Sequence, residues 1–221
     1  MFAVENLASV SERLSNVYSE RIKPAAESTQ PAIVRGAVGL FLVRDDGANG
    51  TKLAKEVVSS FQYWHARTGH HFDGVFLGWG YDAAPAYLDD AFLRCVHELE
   101  ELLDWHYKGG AQLLLVDFVY DLNQRQGHLD FASGVSLDIT KLLDEKKYPQ
   151  LAPLIEEIIE PLRRPPEHEG LSPSWLVSDY IAALRTRRFV WQELIKKFGA
   201  LLGWADDVAN FAVRDLRRKA P

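Results

Sequence analysis

Asp45 and Asp46 close one apolar run, Asp82 follows a second, and Asp121 ends a third. Carboxylates at the ends of neighbouring strands can hold Mg²⁺ or serve as general acid and base. The same residue type is the ordinary cap and turn former. His65, His70, His71 and Asp73 make a second group. His65 and His70 span a helix end and turn, while His71 and Asp73 share one side of an extended chain, a spacing able to supply two metal ligands. The three histidines precede the second strand, hence lie opposite the end where open α/β sheets bind ligands. The sequence Gly78–Trp–Gly–Tyr–Asp82 places Trp79 between glycines, outside any helical or strand period. Trp79 and Tyr81 are therefore the expected exposed interface anchors.

Other motifs are incomplete. Gly47–Ala–Asn–Gly–Thr–Lys52 joins a strand to a helix, but its glycines are too close for a P-loop and Asp45–Asp46 repels phosphate. No Gly-x-Gly-x-x-Gly occurs. Cys95 is the single cysteine and lies among Phe92, Leu93 and Val96, as a small buried hydrophobe would. Asp117 interrupts an apolar strand, so burial there demands a partner, with Arg44 one candidate.

The elements follow from periodicity. Residues 2–21 read as a helix, with Phe2, Val4, Leu7, Val10 and Leu14 at helical spacing, ended by Pro24 and Pro31. Ala37–Arg44 is the first strand, and a helix with Leu53, Val57, Phe61 and Trp64 follows to about residue 66. Phe72–Leu77 is the second strand. A helix over about 86–107 puts Leu88, Phe92, Cys95, Val96, Leu99, Leu102 and Leu103 inward. Ala111–Asp121 is the third and most strand-like run, and only LNQRQGH separates it from a fourth, Leu129–Ile139. That connection is too short for a crossover, so the fourth strand is antiparallel to the third. Gly134 within it marks a bulge or a close backbone approach. The first three strands are expected to be parallel. Helices over 140–145 and about 152–162 complete the core.

This order resembles the thioredoxin-like fold over roughly residues 36–162. The resemblance implies a mixed four-stranded sheet with helices on both faces. Its redox chemistry is not implied. Asp45–Asp46–Gly47 stands where that family carries Cys-x-x-Cys, and Lys108–Gly–Gly–Ala111 where it places a cis-proline before the third strand.

The domain reading is an N-terminal helix and proline-containing connection over 1–35, an α/β core over 36–163, a linker over 164–171 and a C-terminal helical extension over 172–221. The Pro161–Gly170 stretch PLRRPPEHEG carries the boundary. The last segment reads as helices ending in Arg214, Arg217, Arg218 and Lys219.

Charge is unevenly spread. Residues 1–170 hold 16 Lys or Arg against 26 Asp or Glu, whereas residues 171–221 hold 9 against 5. The acidic body disfavours nucleic acid. No apolar run is long enough for a membrane span, and the start carries acids rather than a basic leader. A reducing, cytoplasmic compartment is the expectation from one cysteine. The leading functional expectation is a non-enzymatic protein working through a protein partner or self-association. The alternatives are a metal-dependent hydrolase or nucleotide-processing enzyme built on Asp45, Asp46, Asp82 and Asp121, and nucleic-acid binding by the basic C-terminal helices. No cofactor is implied beyond the divalent ion of the enzyme alternative.

Overall fold

The computed structural model describes residues 2–22, 33–44, 56, 72–81, 85–144 and 213–216. Along the chain these form β1 (Phe2–Val4), α1 (Leu7–Arg21), β2 (Ile33–Val43), β3 (Phe72–Leu77), β4 (Trp79–Tyr81), β5 (Pro85–Tyr87), α2 (Asp89–Leu102), β6 (Ala111–Asp121), β7 (Gln126–Asp138), α3 (Ile139–Asp144) and β8 (Val213–Asp215). The main sheet runs β1-β3-β2-β6-β7-β8, and β4 with β5 makes a separate hairpin. Its four central strands, β3-β2-β6-β7, form the mixed sheet of a thioredoxin-like α/β fold.

Strand direction corrects one expectation. β3 is parallel to β2, as a crossover connection requires, but β6 is antiparallel to β2, with Ala111 beside Val43 and Asp121 beside Ile33. The reason lies in the end of α2. The expected helix over 86–107 stops at Leu102, and the chain then returns through Leu103–Gly110. Trp105 is buried on this return, and Tyr107 comes back to stack edge-on against Phe92 near the start of α2, with centroids 5.3 Å apart. Gly109 and Gly110, at φ +86° and +69°, then turn the chain into β6. Leu88 and Leu102, expected inward, are 37% and 44% exposed.

One face of the sheet carries both α1 and α2. Leu7, Val10, Leu14 and Tyr18 recur every three or four residues and are buried against Val38, Leu40, Val116, Phe118 and Tyr120. Phe92, Cys95, Val96 and Leu99 of α2 join the same cluster. Each such side chain contributes about 1.5–3 kcal/mol. The opposite face is buried too: Phe41 stacks on Phe76 with centroids 5.0 Å apart, and Leu113 and Leu115 are fully enclosed.

The N-terminus differs from the expected 2–21 helix. Phe2–Val4 is a strand parallel to β3, and α1 starts only after Asn6, whose Oδ1 accepts from Ser9 N at 2.8 Å. That is an N-cap, which stops the helix from extending backwards over β1. Glu98 of α2 accepts from Leu7 N at 3.0 Å and ties the two helices together. The N-terminal helix therefore belongs to the same core as the sheet.

The hairpin between β6 and β7 is as expected, and so is the irregularity at Gly134. The register passes from Leu115↔Val135 to Asp117↔Asp130, so β7 bulges between these pairs. Gly134 O accepts from Leu216 N at 2.8 Å, and a Cβ on Gly134 would lie 3.0 Å from Leu216 Cδ1. Val213–Asp215, expected within a final helix, is instead a strand antiparallel to β7. Its ladder bonds and the buried Leu216 outweigh the local helical pattern there. α3 fits the short helix expected over 140–145. Of the helix expected over about 53–66 only Glu56 is described, and it is helical; the helices expected over about 152–162 and 175–198, and the linker at 164–171, lie outside the described residues. Among those described, no helix is long and apolar enough to cross a membrane.

Candidate functional site

The carboxyl ends of the parallel strands β1, β3 and β2 gather on one side of the sheet, where open α/β sheets hold their ligands. Gly78 fastens the next segment across them. Its N–H donates to Val4 O and its carbonyl accepts from Leu88 N, both at 2.9 Å. At φ +75°, with a hypothetical Cβ only 2.4 Å from Phe92 Cα, the position accepts glycine alone.

Trp79 forms the floor of this end. It is 7% exposed, and its Nε1 donates to Val43 O at 3.3 Å. The expectation of an exposed tryptophan is corrected: a strand-end carbonyl satisfies the indole N–H, and Tyr87 covers the ring edge-on at 5.6 Å. Tyr81 pairs with Pro85 in the β4–β5 hairpin.

Above that floor stands a charged group. Arg44 places Nε and Nη2 each 3.2 Å from Asp89 Oδ1, and Tyr87 Oη donates to the same oxygen at 2.9 Å. Arg44 and Asp89 are 43% and 51% exposed. The Asp89 carboxylate raises the affinity of Arg44 for its proton. Partial burial, then the hydrogen bond to Asp89, pushes the Tyr87 phenol upward. Arg44 thus keeps its charge and Tyr87 its phenolic proton at neutral pH. Leu88 is exposed beside this group, and Leu93, 46% exposed, lies one turn beyond Asp89 on the same side of α2. Leu88 is the N-cap of α2 and makes no side-chain cap bond.

The remaining predicted residues are dispersed. Asp121 sits at the other end of the sheet from Arg44, across from Ile33, where its Oδ1 accepts from Asn123 N at 2.8 Å and Gln124 N at 3.1 Å. It organises the β6–β7 turn. Asp45, Asp46 and Asp82 lie outside the described residues, as do His65, His70 and His71. Asp73, the fourth member of the histidine group, is 2% exposed and engaged by both Nη atoms of Arg21 at 2.8 Å. Asp73 therefore faces α1 as an ion-pair partner. Among the described residues, no three His, Cys, Asp or Glu side chains come together as a metal site.

Asp117 is fully buried, as its apolar neighbours imply, but its cationic neighbour is Arg35 at 3.8 Å rather than Arg44. Arg44 sits far along the strand, since Asp117 pairs with Ala37. Arg35 also reaches Asp130 at 3.1 Å, and this cation lies between two carboxylates that face each other across β6 and β7. Burial acts upward on Asp130, yet the Ala132 N–H and the bond and charge of Arg35 hold it below the usual aspartate range. Cys95 is buried, and that burial, with the Glu98 charge, pushes its thiol up to about 11.

Periodicity starts α2 at Ala86, which turns Tyr87, Leu88 and Asp89 into an ordinary first turn and hides them as site residues; the helix in fact begins at Asp89. The usable signal was Pro85, which favours a break before the helix, followed by an apolar residue where a cap belongs. Comparison with family profiles, curated proteins and solved structures finds no match to the chain.

Proposed function

We propose that the protein is non-enzymatic and works through protein contacts, with Arg44, Tyr87, Leu88, Asp89 and Leu93 as the contact surface. One observation carries this reading. Leu88 is exposed at a helix N-cap, where Ser, Asp or Asn would satisfy an orphan N–H and leucine cannot. A position that is worse than it need be for folding is a mark of functional use. Its surroundings support the same conclusion, because Tyr and Arg beside apolar residues are the types that dominate contact energies. The reading includes a cytoplasmic location, in keeping with a single buried cysteine.

The variant Leu88→Ser/Leu93→Gln tests it. Light scattering across protein concentration and co-purification with partners should both report lost association, while circular dichroism stays native. Association and capture equal to those of the unaltered chain would overturn the proposal.

A further inference from the structure

Among the described residues, β8 closes the sheet edge opposite β1, and its three residues pair with β7 as Val213↔Leu137, Arg214↔Ser136 and Asp215↔Val135. The next residue, Leu216, enters the core. It is 2% exposed and joins the cluster that holds Val116, Leu129 and Phe131. β7 is shaped to receive it. Residues 131–134 stand against Val116 alone, between the pairs Asp117↔Asp130 and Leu115↔Val135. A Cβ on Gly134 would press on Leu216 Cδ1, Leu115 O and Val116 Cγ1 at 3.0, 3.1 and 3.2 Å. Leu216 N donates to Gly134 O at 2.8 Å, which carries the β7–β8 bonds on to the bulge. We infer that this bulged edge is an acceptor site for an extended segment, closed in cis by residues 213–216 and open by exchange to the same segment of a second copy of the chain.

Backbone bonds over three residues at a sheet edge open at a free energy well below that of a long central ladder such as β6–β7. The strap is fastened by one side chain, Leu216, in a notch that depends on the missing Cβ of Gly134. Once the strap lifts, β7 presents the row of N–H and C=O groups that strand addition uses, and the notch selects a leucine directly after the paired residues. The strap of a second copy meets both requirements by identity. Exchange of one identical element between copies is a low-cost route to a dimer. The site shares no residue with the strand-end surface.

A labelled peptide of residues 210–219 is the probe. The unaltered chain binds it only through molecules whose strap is open, whereas Leu216→Asp in the full chain ejects the strap and empties the seat. By fluorescence anisotropy that variant should bind the peptide at least about tenfold more tightly than the unaltered chain. Leu216→Asp/Gly134→Val should lose it, and a peptide carrying the Leu216→Asp change should not bind. Mixed with the unaltered chain, the Leu216→Asp variant should form a dimer in sedimentation equilibrium that excess peptide dissolves. A variant that binds the peptide no better than the unaltered chain, or a peptide indifferent to loss of its leucine, overturns the acceptor site. A mixture that stays monomeric while the peptide binds overturns the second copy as its occupant. If Leu216→Asp misfolds, hydrogen exchange on the unaltered chain decides. The Leu216 amide should exchange at least about tenfold faster than those of residues 113–115, and equal rates overturn the strap.

Discussion

Arg21 and Asp73 form a two-pronged ion pair, Nη1 to Oδ2 and Nη2 to Oδ1, each 2.8 Å, that locks the end of α1 onto the start of β3. Asp73 is 2% exposed, so without Arg21 a buried carboxylate would lose its bonded cation. Burial opposes the Arg21 charge, but the bond and charge of Asp73 outweigh it. Removing one member of a buried pair costs far more than replacing both. Arg21→Met should therefore cost on the order of 3 kcal/mol in urea unfolding, and adding Asp73→Leu should recover much of it. A double variant less stable than the single would contradict this account of the pair.

Asp130 gives the pH dependence a direction. Its folded-state pKa is depressed, so the stability it contributes is present above the ordinary aspartate value of about 3.9 and is lost as pH falls through the lower folded value. Asp130→Asn should consequently destabilise at neutral pH, and the difference should shrink as the medium is acidified through that window. Unfolding curves over a pH series measure it. A difference that grows on acidification would reverse the assigned sign.

Cys95 should be inert in the native protein. Full burial and a thiol near 11 leave little thiolate at neutral or mildly alkaline pH. A colorimetric disulfide reagent should react slowly with the folded chain and rapidly once urea is added. Equal rates in the two states would show that the α2 packing is wrong.

Leu88→Ser should leave stability unchanged or raise it by up to about 1 kcal/mol, because serine caps α2 where leucine does not. Thermal unfolding reads this directly. A loss larger than about 1 kcal/mol would mean that Leu88 is kept for packing, and the argument for a functional role at this position would fail.

Much of the sheet was legible in the sequence. β2, β3 and β6 declare themselves because strands buried on both faces need apolar residues at successive positions, as in Leu113–Val116. The β6–β7 hairpin follows from a connection too short for anything else. What remained hidden depends on contacts between distant residues. The direction of β6 is set by the return through Trp105 and Tyr107, which sequence pattern extends into the helix. The burial of Trp79 depends on a carbonyl at Val43, and the partner of Asp73 lies on α1. The candidate site was legible only at Arg44 and the strand ends. Tyr87 and Asp89 acquire their roles because Gly78 folds the chain back over those ends.

Hydrogen exchange on dilute and concentrated protein tests the contact surface most directly, since it reports which backbone segments become covered. Concentration should slow exchange in peptides spanning Val43–Arg44 and Tyr87–Leu93, with little change in the β6–β7 hairpin at the far end of the sheet. Protection confined to other segments, or exchange independent of concentration with no protein partner slowing it there, would contradict the strand-end surface as the site of contact.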